Sequence, residues 1–273
     1  MPERLVSAMV PGEVIPQWRP FVADGRAGAF AYFAGKTLTP KLEFKVLRID
    51  FIEPGIQIVV RGGGKGKVLS TRVSSFVRDN GLIAGINATP FDPASAKEGE
   101  PRTNVGIVVS DGIMISPPNP RFDALVWYAD SGPVIVPQAE LDNADNIVNA
   151  VGGFHRILKA GELTERALKS RPRYPRSAVG ISTDGVSAEV RFLYLLVIDG
   201  GRPGSAGATE AETALLLRAL GASEGINLDG GGSSALALRY PDGSVRVVNT
   251  PVHGGVSGRE RAVAGCLGIG LRE

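Results

Sequence analysis

The sequence predicts an α+β protein in which strand-rich mixed and antiparallel sheets pack around one or two helices. Three observations carry this. The 36 glycines and 19 prolines are spread over 273 residues and cut the chain into many short apolar runs, which is the punctuation of strands and turns. Asp-Gly pairs stand between apolar arms at Val108-Val109-Ser-Asp-Gly-Ile113 and at Arg239-Tyr-Pro-Asp-Gly-Ser-Val245, a strong hairpin signal that makes part of the sheet antiparallel. Only two segments carry a pattern that suits a helix.

Residues 1–40, and above all the first 28 or so, hold the weakest pattern and are expected to form an N-terminal arm or extension. That leaves 41–273 as one domain with two sheet layers. Its strands are predicted at Leu42–Phe51, Ile56–Val60, Ile83–Ile86, Val105–Val109, Ile113–Ile115, Val134–Val136, Ser177–Ile181, Phe192–Ile198, Ser234–Leu238 and Val245–Val248. Each is bounded by Gly, Pro, Asp or Asn. One helix is expected over Leu69–Asn80, stopped by Asn80-Gly81. The other covers Glu210–Leu220, where Ala211, Ala214, Leu215, Leu217 and Leu220 make an apolar stripe. Thr209 offers an N-cap with Glu212 three residues on, and Gly221 ends the helix.

Composition narrows the function classes. With 43% apolar and 21% charged residues the chain can bury a sizeable core. A net charge of +2 gives no basic surplus for duplex nucleic acid, so nucleic acid is not an expected partner. A lone cysteine, Cys266, leaves no intrachain disulfide, and His155 and His253 are too few for a histidine-rich metal centre. No run of about 18 uncharged apolar residues suggests a membrane span. The start lacks the basic and apolar regions of a secretory leader. A secreted or cell-envelope address follows if such a leader was removed, and a cytoplasmic one otherwise.

Two glycine-rich segments carry the chemistry. Leu193–Asp199 reads as a buried strand that stops at an acid, and Gly200-Gly-Arg-Pro-Gly-Ser-Ala-Gly207 then leads into the helix start. Such a loop can gather backbone N–H groups as an anion site or serve as a plain strand-to-helix turn. It lacks the Lys-Ser or Lys-Thr of a nucleotide P-loop. After the helix, Asn227-Leu-Asp229-Gly230-Gly231-Gly232-Ser233-Ser234 places Asn and Asp two apart on one side of an extended chain. Its three glycines let a ligand come close to backbone. Weaker features are the Ile86-Asn87 turn, Gly152-Gly153 with His155, and the arginines Arg176, Arg259 and Arg261, which solvation alone would explain.

In order, these segments resemble the phosphodiester glycosidase family, from about Leu42 to the C-terminus. The resemblance is carried by Asp199-Gly200, Gly207, Thr209 and Glu212, then the helix, then Asn227-Leu-Asp229-Gly-Gly-Gly-Ser-Ser234. Ala88-Thr89-Pro90 departs from the glycines the family has after Asn87. The resemblance implies a hydrolase that breaks the bond between an anomeric carbon and a phosphodiester oxygen, with a phosphorylated saccharide as its partner. It makes Asp229, Asp199 and Glu212 the acid candidates, Arg176 and Arg261 the phosphate candidates, and Asn227 and Ser233 groups that orient hydroxyls or phosphate. Asn87, Gly153, Gly200, Thr209, Gly230, Gly231 and Gly232 complete the expected binding surface. Glu212 could equally serve a capping box, and His155 either shuttles a proton or is structural. No cofactor is required. Acidic side chains and turn carbonyls would suit Ca²⁺, yet no Asp-x-Asp/Asn-x-Asp/Asn-Gly loop is present. Two alternatives belong to other classes, namely a non-catalytic glycan or cell-wall binding module and a phosphodiesterase acting at phosphorus.

Overall fold

A computed structural model describes residues 6–22, 28–61, 67–95, 97–141, 146–183 and 189–272. Among them strands dominate, with three α-helices: α1 (Val73–Asp79), α2 (Glu165–Lys169) and α3 (Glu210–Leu220). A nine-stranded sheet runs, in spatial order, through Val6–Ala8, Phe30–Leu38, Lys41–Asp50, Val190–Ile198, Arg176–Thr183, Glu224–Asn227, His155–Lys159 and Glu162–Leu163, with Arg19–Pro20 beside Phe30–Leu38. Its first pair, Val6–Ala8 on Phe30–Leu38, is parallel, and its other pairs are antiparallel. Two five-stranded sheets complete the main framework. One is ordered Ile113–Ser116, Val108–Ser110, Ile147–Gly152, Asp123–Tyr128 and Pro133–Pro137. The other is ordered Val245–Val247, Leu236–Arg239, Ala84–Asn87, Cys266–Leu271 and Ile56–Val60.

Period-two alternation explains the layering. In Val190–Ile198, Leu193, Leu195 and Val197 join one core cluster with residues of the five-stranded sheets, such as Ile86, Leu236 and Leu125. Tyr194, Leu196 and Ile198 face the other way, toward Leu216, Leu217 and Leu220 of α3. The strand is thus apolar on both faces, as a sheet covered on both sides requires. Helix α1 puts Val73, Phe76 and Val77 against Ala235, Ala237 and Cys266 on the outer face of the second five-stranded sheet.

The two predicted hairpins form, Val108–Ser110 with Ile113–Ser116 and Leu236–Arg239 with Val245–Val247. At the first, Asp111 and Gly112 have φ of 48° and 78°, the left-handed pair that a tight two-residue turn needs. Helix α3 starts and stops as predicted. Helix α1 is shorter than expected, because Lys67–Leu69 pairs as a strand with Pro101–Asn104 and Thr71 bridges to Val263 before the helix begins.

The N-terminal expectation needs correction. The boundary at residue 40 falls in the turn of a long hairpin, where Phe30–Leu38 pairs with Lys41–Asp50 over nine positions. Residues 30–38 belong to the nine-stranded sheet, and Phe30 and Phe33 are core residues. Val6–Ala8 also pairs into it, while residues 1–5 and 23–27 lie outside the described residues. The alanines and glycine of Phe30-Ala-Tyr-Phe-Ala-Gly weaken the strand signal there. Gly35 is needed because a Cβ would lie 2.4 Å from the Phe44 ring.

Candidate active site

Three strand ends converge to form the site. Strand Glu224–Asn227 delivers Asn227 and, two residues later, Asp229. The turn that follows is anchored on the neighbouring strand: Leu228 N–H donates to Ser177 O at 2.9 Å and Gly231 N–H to Pro175 O at 2.9 Å. On the other side Asp229 N–H donates to Ala88 O at 3.0 Å. Asn87, at the end of Ala84–Asn87, is fully buried and joins the sheets. Its Nδ2 donates to Asp229 O at 2.6 Å, and its Oδ1 accepts from Ser177 Oγ at 2.6 Å and from Ala235 N–H at 3.1 Å.

Above this floor lies a pocket of about 340 Å³. Asp229, Gly230, Gly231 and Asn227 line it from the glycine turn, Phe154 and His155 from the adjacent strand, Tyr174 and Arg176 from the entry to Arg176–Thr183, Arg166 from α2 and Glu210 from α3. Gly231 has φ of +60° and nothing within 4 Å of the position a Cβ would take, so the turn exposes backbone there without a side chain.

The electrostatics are those of a desolvated acid among cations. Burial pushes the Asp229 carboxyl up to about 6, while Ser233, Arg261 and the Gly230 N–H hold it from rising further. Burial also raises Glu210, against the pull of Arg176 and Arg166. Glu210 Oε2 and Asn227 Oδ1 are buried acceptors with no hydrogen-bond partner. Arg176 donates from Nε to Ala208 O at 2.9 Å and from Nη2 to Pro172 O at 3.0 Å, leaving Nη1 3.8 Å from Glu210. Burial, with Arg166 nearby, keeps the His155 imidazole below its ordinary pKa, so it is neutral at pH 7.

A family model described as phosphodiester glycosidase matches residues 80–270, well over half of the chain. The chain belongs to the phosphodiester glycosidase family. Among solved structures, the zebrafish N-acetylglucosamine-1-phosphodiester alpha-N-acetylglucosaminidase catalytic domain, auto-inhibited by its pro-peptide, is similar with a TM-score of 0.66 at 18% identity, covering 95% of this chain and 89% of that one. A hypothetical protein from Synechocystis is similar with a TM-score of 0.65 at 16% identity; the match covers 94% of this chain but only 64% of that protein's length. At such identities the likeness is one of fold. Among curated proteins none matches the sequence.

Within this phosphodiester glycosidase framework the expected site residues divide. Asp229, Asn227, His155, Arg176, Gly230 and Gly231 line one pocket. Ser233 and Arg261 stand beside it. Arg261 Nη1 donates to Ser233 Oγ at 3.2 Å, its Nε donates to His253 Nδ1 at 2.9 Å, and it lies near enough to Asp229 to stabilise its charge. A Cβ on Gly232 would collide with Arg261 Nη2 at 2.6 Å, so this glycine makes room for the arginine.

Two of the expected acids are engaged elsewhere. Asp199 is buried, with Oδ2 2.9 Å from Lys45 Nζ and 2.7 Å from Arg202 Nη2, and Oδ1 accepting from Thr250 N–H at 2.8 Å. It is the centre of an ion cluster and does not line the pocket. Glu212 closes the capping box of α3: Oε2 accepts from Thr209 N–H at 2.9 Å, and both carboxylate oxygens lie 2.6 Å from Arg173. Thr209 is therefore a helix cap. Gly200 and Gly153 serve packing, since a Cβ on either would fall within 2.8 Å of backbone at Pro175 or Asn227. Asn87 reaches the site only through Asp229 and the strands it ties together.

Sequence reasoning missed Glu210, Arg166, Tyr174 and His253. Glu210 was the findable one, because it follows the N-cap Thr209 directly; the capping-box spacing drew attention to Glu212 instead. Among the described residues no three His, Cys, Asp or Glu side chains gather as they would around a metal ion, and no helix is long and apolar enough to cross a membrane.

Proposed function

We propose that the protein hydrolyses the glycosidic bond of a sugar-1-phosphodiester, releasing the sugar and leaving a phosphomonoester on the other partner. The observation that carries this reading is Asp229, a carboxyl raised to about 6 in a pocket that also holds Arg176 and Arg166. A phosphate leaving group needs little protonation, so the demanding step is the developing positive charge at the anomeric carbon. Asp229, once ionised, stabilises that charge and takes the proton of the attacking water. The C1–O bond breaks with its electron pair on the phosphate, and the water oxygen ends on the sugar.

Arg176 Nη1 and the exposed Arg166 suit the phosphate oxygens. Glu210 Oε2 and Asn227 Oδ1, buried acceptors without donors, suit sugar hydroxyls, which would fill both vacant positions. His155, neutral and beside Asn227 in register, suits a proton relay to solvent. The two tryptophans give a glycan-binding module no open platform. Trp18 packs on Phe33 and Tyr194, and Trp127 is buried.

Hydrolysis in ¹⁸O-labelled water tests the reading directly. Label in the released sugar supports cleavage at carbon, whereas label in the phosphate overturns it in favour of attack at phosphorus. A panel of sugar-1-phosphodiesters left intact by the enzyme would also overturn it.

A further inference from the structure

A second cavity, of about 580 Å³, lies along the chain Thr103–Gly106 and Met114–Pro120. None of the described residues that line it is charged, and its apolar wall is built from Val105, Met114, Pro117, Pro118 and Pro120. Prolines present a rigid apolar face and no N–H donor, so most of the wall, Met114 apart, is made without flexible side chains to order on binding. Among the polar residues that line it, Asn104 is buried, and its side-chain oxygen has no hydrogen-bond partner. Such a surface suits a largely apolar ligand with one donor group and offers a phosphate no cationic partner.

Two strips of chain touch the linings of both the cavity and the reaction pocket. On one, Phe122 N–H donates to Asn119 O, which lines the apolar cavity, while the Phe122 ring lies edge-on to Phe154 and His155, which line the reaction pocket, at centroid distances of 5.3 and 5.9 Å. On the other, the strip Ala88–Phe91 begins at the carbonyl that accepts from Asp229 N–H and ends at Phe91, which pairs with Asn104, with Pro90 O accepting from Val105 N–H at 2.7 Å.

We infer that this cavity is the subsite for the leaving alcohol of the phosphodiester, and that the alcohol it takes is apolar, an alkyl or aryl chain carrying one donor, rather than a second sugar. The inference rests on the proposed glycosidic cleavage, with the sugar and phosphate in the Asp229 pocket and the alcohol extending past Phe122. The product retained there is an alkyl phosphate.

The test is a chain-length series on the full chain: methyl, butyl and octyl diesters of one sugar 1-phosphate for turnover, and methyl, butyl and octyl phosphate for calorimetric binding. kcat/KM and alkyl phosphate affinity are each expected to rise by about twofold per methylene, half or less of what complete burial would give. Met114→Glu and, as a second variant at the wall, Pro117→Glu are expected to abolish the chain-length dependence while leaving the methyl diester cleaved at the wild-type rate. Flat dependence on chain length in both measurements overturns the subsite, even if every diester is cleaved. If no diester is cleaved but octyl phosphate binds more tightly than methyl phosphate, and Met114→Glu or Pro117→Glu erases the difference, the apolar subsite stands and the proposed reaction falls.

Discussion

Asn87 Nδ2 holds the backbone carbonyl of Asp229 at 2.6 Å while its Oδ1 receives Ser177 Oγ and Ala235 N–H. One buried amide thus fixes the position of Asp229 from two sheets at once. Replacing it with Leu leaves a carbonyl, a hydroxyl and an N–H buried without partners, each costing about 1–3 kcal/mol. Asn87→Leu is expected to lower unfolding free energy by about 3 kcal/mol or more in urea and to reduce turnover at temperatures where it remains folded.

Asp229 is expected to trade stability for activity. Its carboxyl is raised in the folded protein, so folding favours the protonated form. The stability it contributes is present below its unfolded pKa and is lost as pH rises toward about 6. At pH 7 the charged group therefore costs the fold about 1–3 kcal/mol, the range allowing for its partial exposure. Asp229→Asn should melt higher than the parent at pH 7, should match it near pH 4, and should lose about a thousandfold in kcat. Thermal scans at the two pH values, together with an activity assay, check all three.

Turnover should follow the same ionisation. With Asp229 acting as the ionised group, kcat/KM is expected to rise through a limb near pH 6. A profile that falls through that region would reverse the role and make Asp229 the proton donor.

The two helix-start glutamates should separate cleanly. Glu212→Gln weakens the capping box and the contact to Arg173, for about 1 kcal/mol of stability and little change in kcat. Glu210→Gln leaves the cap intact and alters an acceptor in the pocket, so a large loss in kcat/KM with no loss of melting temperature is expected.

Asp199 should behave as a fold residue. Asp199→Ala removes the nearest carboxylate from Lys45, whose side chain is almost fully buried, and leaves Lys45 and Arg202 to share Glu43; removing one member of such a cluster costs about 3–5 kcal/mol. Denaturant unfolding of the variant should show this loss. Whatever protein remains folded is expected to keep a near-normal KM.

The sequence by itself determined the strand-rich class, the two Asp-Gly hairpins, α3 with its cap and stop, and the glycine turn after Asn227. Each depends on residues within about a dozen positions of one another, where turn geometry, capping and apolar period act locally. Only the tertiary structure decided which acids share a pocket. Asp199 directly follows the buried strand that ends at Ile198, and on sequence spacing it looks as available as Asp229. Lys45, from a strand 154 positions away in sequence, claims it, and Arg173 and Thr209 claim Glu212. Glu210 is left with an unpartnered oxygen because α3 packs its first turn beside Arg176. Charge partnering across distant strands is a property of the packed layers, and no local pattern in the chain records it.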